Sequence, residues 1–469
     1  MNGALIAMRP KEAFVIAAMI VAVMGITMIG FGWVPHLSIV LVMCGLFAYG
    51  RLRGLDFAAM QVKMADGVVS GIGAIYLFFY IGLLVAALMM SGAIPTLMYY
   101  GFELISPDYF YISAFVLCSV IGISLGSGFT TCATAGVAFL GMAEAFDAEP
   151  AIVAGAVVSG ALFGDKMSPL SDTTTIAASV VGIDLFDHIR NMLYTTVPAW
   201  LLTALCLWLF GGQAGRGDLS GAAAMQQQLT DSGLVHGYAL LPLALLVLLA
   251  VLKVNAVYTI IATITAAIAV TYLHSSPTLA QLGGWFFGGY KPAEGLDLGA
   301  VGRLVSRGGM ESMFFSQTIV VLALSLGGLL GGLGVLPALL SGIGHLITGV
   351  GRATATAAAT AFGINFLIGE QYLSLLLSGN AFKPLYARLG LHPRNLARTI
   401  EDAGTVINPL VPWGVYGVFL AGILQVPVVD YVPYAFFCYF SLLLTLIYGF
   451  TGFTISKVPP QNPQQTDHT

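Results

Sequence analysis

The sequence predicts an all-α, polytopic membrane protein. The chain is too apolar for water, its apolar runs are long enough to cross lipid, and its two halves repeat one another. Hydrophobic residues fill 58% of the 469 positions and charged residues 9%, where a soluble domain carries about 25% charged residues. Such a chain cannot cover its own surface with water-compatible groups, and lipid removes that requirement. In lipid the backbone must satisfy its polar groups internally, so the spans are helices. The formal net charge is −4 and there is no basic tract, which excludes the phosphate footprint of a nucleic-acid binder.

A crossing needs about 20 apolar residues. Candidate spans begin near Ala13, His36, Gly71, Phe110, Ala151, Asn191, Gly237, Ala256, Met313, Arg352, Gln371, Arg398 and Pro433. These give about 10–13 transmembrane helices, some of them half-helices or hairpins that enter and leave on one side. The first run, Ala13 to Val34, is too long for a signal peptide and lacks a small-residue cleavage site, so it stays as the first span.

Arg9 and Lys11 precede that span, and Arg51, Arg53 and Lys63 follow the second. The loop around Glu103 and Asp108 has no Lys or Arg, so the positive-inside rule puts the N-terminus in the cytoplasm. Arg388, Arg394 and Arg398 suggest another cytoplasmic loop. Gly212 to Gly233 reads as a loop between halves, and the Pro/Gln-rich tail from Lys457 to Thr469 as disordered. Cys44, Cys118, Cys132, Cys206 and Cys438 all sit in apolar runs without CxxC spacing and read as small hydrophobes.

The segment from Ala65 echoes the segment from Ser306. Pro95 pairs with Pro337 (337 − 95 = 242), Gly67 with Gly308 (308 − 67 = 241), Asp165 with Asp402 (402 − 165 = 237) and Pro169 with Pro409 (409 − 169 = 240). The chain then divides into N-terminal helices (1–55), a first repeat (56–211), a linker with additional spans (212–296), a second repeat (297–455) and a tail (456–469). Duplicated halves interrupted by Gly and Pro mark secondary transporters, whose sites lie near mid-membrane where helices break. The expected architecture is two inverted repeats with re-entrant hairpins and broken helices.

The strongest chemical signal is Gly164-Asp165-Lys166-Met167-Ser168-Pro169-Leu170-Ser171-Asp172-Thr173-Thr174-Thr175, set inside an apolar run. Pro169 breaks the helix near Ser168, and the freed backbone groups need partners such as water or an ion. A buried Asp or Lys costs about 2.5–3.5 kcal/mol at a helix centre, so these groups must be paired, solvated or functional. Asp165 and Asp172 are candidate cation ligands, with Ser168, Ser171, Thr173 and Thr174 supplying neutral oxygens. In the bland alternative, Lys166 neutralises one Asp and the hydroxyls bond back to helix carbonyls.

The second half answers with Glu401-Asp402-Ala403-Gly404-Thr405-Val406-Ile407-Asn408-Pro409, followed by Pro412. Asp402 is the second candidate acid, Asn408 offers a carbonyl oxygen, and Thr405 lines the same segment. Glu401 could instead serve a helix start.

Upstream lie two hydroxyl-rich stretches, Ser124 to Thr134 (with Ser127, Thr130 and Thr131) and Arg352 to Thr360 (with Thr354 and Thr356). Both fit hairpin tips or discontinuous helices, or plain close packing of small residues. Glu311 and Glu370 stand beside apolar runs and could relay protons, face a vestibule or lie solvated at an interface. His36, His274 and His345 are lone, and no GxSxG, HExxH or P-loop is present. Gly328 to Gly334 reads as helix packing. No enzyme chemistry and no cofactor is expected, and without a nucleotide site the energy must come from an ion gradient.

The strings GDKMSPLSDTTTIAA, GMESM, IGEQYLSLLLSG and EDAGTVINPLVPWG resemble the NhaC-type sodium/proton antiporter family over about Gly71 to Phe450. The resemblance implies a bacterial or archaeal inner-membrane protein of the ion-transporter superfamily. It also implies motif acids at Asp165, Asp172 and Asp402, the expected Na⁺ sites. Members exchange sodium for protons or couple both to organic acids such as malate and lactate.

Burial disfavours a charged carboxylate, so a shared site would hold H⁺ or Na⁺ in turn while one bundle rocks against the other. Unequal stoichiometry would add about 2.3 kcal/mol per net charge per 100 mV. The rivals are a Na⁺/H⁺-coupled carrier of a small organic or amino acid, with Arg352 meeting the anion, an ion channel, and a membrane enzyme. Expected partners are lipid, Na⁺, H⁺, an organic acid in the rival reading and a second copy in a homodimer.

Overall fold

Every regular element is helical among the described residues of the computed structural model, which are 4–211, 220–292, 299–341, 347 and 349–458. Among the described residues six helices are long and apolar enough to cross a membrane: Pro10–Met28, Pro35–Leu52, Pro107–Leu125, Pro150–Met167, Leu185–Gly211 and Glu311–Gly332. Three bent pairs bring the number to nine if each is one span: Phe57–Ser70 with Ile75–Met90 (44°), Pro393–Leu410 with Val415–Leu424 (42°), and Val428–Tyr434 with Phe436–Thr451 (56°). Gly128–Ala143, Gly237–Val251 and Ala256–Thr271 are shorter apolar helices.

The breaks recur in the two halves. Helix Ile72–Met90 passes through left-handed Gly92 into Ala93–Leu104, and Glu311–Gly332 passes through positive-φ Gly334 into Val335–Ser341 (334 − 92 = 242). Phe110–Leu125 ends at left-handed Gly126, and Val350–Ile368 at left-handed Gly369 (369 − 126 = 243). A left-handed residue is what a helix C-terminus needs to turn away, and only glycine adopts it without a Cβ penalty.

The proline breaks match as well. Pro150–Met167 stops before Ser168, extended at φ −84°, ψ 131°, and the chain resumes at Asp172. The short 3₁₀ turn Asn408–Leu410 stops before Val411, extended at φ −90°, ψ 113°, and resumes at Val415. Ser168 and Val411 each precede a proline, whose ring disfavours the helical conformation in the residue before it.

Glycine also lets helices meet backbone to backbone. A Cβ on Gly164 would stand 2.4 Å from the Gly122 Cα, and one on Gly328 would stand 2.1 Å from the Lys63 carbonyl. The glycine run Gly328 to Gly334 is thus helix packing, as its sequence suggests.

Four local expectations change. Gly212 to Gly233 is not all loop, because Ser220–Asp231 is helical, while 212–219 lie outside the described residues. Arg398 is no loop residue: it lies in helix Pro393–Ile400 at 1% exposure. Arg352 to Thr360 runs inside the unbroken Val350–Ile368 helix, since its alanines favour helix and the break waits for Gly369. Of the tail, residues 459–469 lie outside the described residues, but Ser456 to Val458 is docked. The His392 N–H donates to the Ser456 carbonyl (2.9 Å), and the Val458 N–H to that of Gly390 (2.9 Å).

Candidate functional site

The two proline-broken segments meet at a buried ion pair. Lys166, one turn before the first break, reaches Asp402, and both side chains are fully buried. Asp402 sits in a single wide turn, Glu401–Thr405, that continues helix Pro393–Ile400. Its other oxygen accepts from Thr195 (3.0 Å) on helix Leu185–Gly211 and from Thr445 on helix Phe436–Thr451. Four elements therefore converge on one carboxylate, so Asp402 has a full set of partners.

Glu401 faces the other side of that turn. Thr174 bridges it to the first half, donating within 3.4 Å of Glu401 Oε1 and 3.3 Å of the Lys166 carbonyl. Its Oε2 lies 3.7 Å from His188 Nε2, with both side chains fully buried. Neither nitrogen of His188 has a hydrogen-bond partner. Arg398, one turn before Asp402, donates to the Asn191 carbonyl (3.5 Å) and to Thr454 (3.1 Å).

Asp165 is different. It is buried, and no cation pairs with it among the described residues. Ser171 accepts from the Thr174 N–H (3.5 Å) at the start of Asp172–Val181 and pairs with the Thr173 hydroxyl (3.0 Å). Ser168 accepts from the Leu170 N–H (3.3 Å), which closes the break. Asp172 opens the next helix with an exposed side chain.

Asn408 proves to be a bracket. Its amide nitrogen donates to Asn365 (2.8 Å) and the Gly369 carbonyl (3.2 Å), and its side-chain oxygen accepts the Tyr416 N–H (2.9 Å). Asn365 in turn donates to the Gly404 carbonyl. The oxygen expected to face a cation is thus engaged by backbone. The same bracket ties the Gly369 break to the Pro409–Pro412 break.

The remaining expected residues fall into groups. Ser127 caps the short helix after Gly126, accepting from the Thr130 N–H (3.3 Å), and Thr131 bonds back to the Ser127 carbonyl (2.9 Å). Glu370 does the same job at the matching position, accepting from the N–H groups of Tyr372 (3.0 Å) and Leu373 (2.7 Å). Thr405 is buried, and its hydroxyl lacks a partner.

Thr354 packs against Gly449, and Thr356 bonds back to the Arg352 carbonyl (2.7 Å). Glu311 begins helix Glu311–Gly332 and lines a separate cavity of about 460 Å³ with Arg307 and Gln425. The structure does not gather Thr354, Thr356 and Glu311 with the acids.

Sequence reasoning missed His188, Thr195, Asn365, Tyr416 and Thr445. A polar residue inside an apolar run hinted at Thr195, Asn365 and Thr445, and nothing in the local sequence set His188 or Tyr416 apart. Among the described residues no cluster of three or more His, Cys, Asp or Glu could hold a resident metal ion.

Comparison with known proteins gives the family. Residues 160–453, which contain both breaks and every acid of the buried cluster, match the model of the Na⁺/H⁺ antiporter family. Relatives include the Na⁺/H⁺ antiporter NhaC of Alkalihalophilus pseudofirmus, 38% identical over 85% of this chain and 86% of its own. NhaC of Bacillus subtilis is 39% identical over 85% and 88%. The malate-2H⁺/Na⁺-lactate antiporter of Bacillus subtilis is 32% identical over 81% and 82%. With the matched region spanning the crossing of the two broken helices, this multi-pass membrane protein belongs to the Na⁺/H⁺ antiporter family.

Proposed function

We propose that the chain exchanges Na⁺ for H⁺ across the inner membrane of a bacterium or archaeon, its N-terminus in the cytoplasm. The observation that carries the reading is the charge count where the helices break. Asp165, Glu401 and Asp402 are buried carboxylates, and Lys166 and Arg398 are the buried fixed cations beside them. The three carboxylates outnumber the two fixed cations, and no cation pairs with Asp165 among the described residues. Glu370 is compensated locally by the amides of a helix start.

A buried uncompensated charge is costly, so the cluster favours one added monovalent cation. A proton or a sodium ion each supplies it, and the two compete. Asp165 and Glu401 both lack a paired fixed cation, and Asp165, at the end of the first broken helix, is the carboxylate assigned to exchange. Asp402, held by Lys166, Thr195 and Thr445, is the anchor between halves. Asp172, exposed at the start of the helix beyond the break, lies on the way in. Alternating exposure of Asp165 to the two sides turns the competition into antiport.

The name of the malate/lactate relative favours a second reading, in which an organic acid travels with the ions. Proteoliposomes carrying an internal pH dye decide between the two. Na⁺ alone should move protons, and added malate, lactate or amino acids should leave the rate unchanged. Proton movement only with an organic acid present would replace the first reading by the second.

A further inference from the structure

His188 lies in the first turn of helix Leu185–Gly211, and Asn191 follows it on the same face, both buried. Arg398 and Glu401 repeat that spacing on helix Pro393–Ile400 and the turn that extends it. The two rows oppose each other. His188 Nε2 lies 3.7 Å from Glu401 Oε2, and Arg398 donates to the Asn191 carbonyl (3.5 Å). Each of the four leaves a buried polar atom unpaired: both nitrogens of His188, Asn191 Oδ1, Arg398 Nε and Glu401 Oε2.

Buried polar side chains nearly always have a partner, protein or water. Unpaired atoms gathered on two opposed faces are the signature of a pocket that water completes, each water serving about three groups. Packing alone does not ask for a histidine here, because an apolar side chain would fill the space without stranding two nitrogens.

The pocket has two ends. Asp184, four residues before His188, is exposed and caps the helix through the Phe186 and Asp187 N–H groups (2.8 and 3.1 Å). At the inner end Thr174 ties Glu401 to the Lys166 carbonyl at the first break. Of the other charged groups nearby, Asp187 and Arg190 are exposed, Arg394 bonds to Ser456 (2.9 Å), Lys166 and Asp402 hold each other, and Asp165 and Asp172 belong to the first break. The helix start and the Arg398 guanidinium disfavour a lasting imidazolium, while the carboxylates at both ends draw a proton on. The ring is suited to pass a proton and not to keep it.

We propose that His188 is a proton relay, carrying the exchanged proton between the exposed helix start at Asp184 and the buried carboxylates through water held by Asn191, Arg398 and Glu401. In each passage one ring nitrogen takes a proton from water and the other gives one up, so the ring returns to neutral as its other tautomer. The inference rests on the exchange reading above. It gives the proton an entrance of its own, apart from the sodium route past Asp172.

The test is His188→Gln in proteoliposomes. An internal pH dye reads Na⁺-driven proton movement, and radioactive sodium reads exchange of Na⁺ for Na⁺, which moves no proton. Proton movement should fall about a hundredfold, the low end of what a positioned acid–base group contributes, while Na⁺-for-Na⁺ exchange is kept. Asn191→Leu, which fills the pocket with alkyl groups and leaves the ring in place, should slow protons in the same selective way, and it carries the test if His188→Gln does not fold. In a variant that keeps the wild-type unfolding temperature, unchanged proton movement or an equal loss of both fluxes would overturn the relay and leave the exchange reading standing. Wild-type protein that moves no protons with Na⁺ would remove both.

Discussion

Lys166 and Asp402 come from opposite halves of the chain and form an ion pair sealed from solvent. The pair is a bridge between two discontinuous helices. It gathers Thr195 and Thr445 around it, so its geometry is fixed from four sides.

Breaking one side of that bridge strands a charge. Lys166→Met or Asp402→Asn alone should cost about 3–5 kcal/mol, and the double variant should recover most of that loss. Thermal unfolding in detergent reads the stability. All three variants should be inactive in exchange, and a single variant as stable as wild type would refute the bridge.

Asp165→Asn should behave in the opposite way. No fixed cation depends on Asp165, so neutralising it removes a buried charge without stranding another. The variant should fold at least as well as wild type and lose Na⁺-dependent stabilisation, which is worth about 2.7 kcal/mol at a hundredfold excess over Kd. Retained Na⁺ stabilisation would place the ion elsewhere.

Asn408→Ala should loosen the bracket between the second-half breaks. It strands the Tyr416 N–H and the Asn365 side-chain oxygen, at about 1–3 kcal/mol for each buried group left unpaired. Hydrogen exchange at Tyr416 should accelerate, and unchanged protection would show that the bracket is dispensable.

His392 carries a pH dependence outside the spans. Its Nδ1 accepts the Arg394 N–H (3.3 Å) at the start of helix Pro393–Ile400. Partial burial, helped by Arg394 and opposed by Asp187, lowers its pKa from the ordinary value. The folded state thus binds this proton less readily than the unfolded chain. The stability His392 contributes is present above an unfolded pKa of about 6.5 and is lost as pH falls below it. Unfolding midpoints at neutral and mildly acidic pH should show the loss in wild type and a smaller one in His392→Asn, which keeps a capping acceptor.

The sequence made the helical breaks legible because prolines and glycines act locally. Pro169, Pro409, Gly126 and Gly369 end helices wherever the tertiary fold places them. It also made legible that Asp165, Lys166 and Asp402 need partners, because charge in an apolar run must be paired or used.

It did not reveal which acid takes the lysine. Asp165 is adjacent in sequence, yet Lys166 crosses to Asp402, and only packing decides that. Nor could it show that Asn408 spends its oxygen on a backbone amide, or that Arg398 is buried. His188 and Thr445 look like ordinary helix residues until the helices around them are assembled.

The seam of Gly122 and Gly164 has a mechanical meaning. At Gly122 and Gly164 the helices Phe110–Leu125 and Pro150–Met167 meet backbone to backbone with no space between them, which favours their moving together. Access from one side to the other must then come from shear along borders that side chains, not glycines, define. The border crossed by Lys166 and Asp402 is such a place, and a covalent cross-link there would freeze the machine while leaving each block intact.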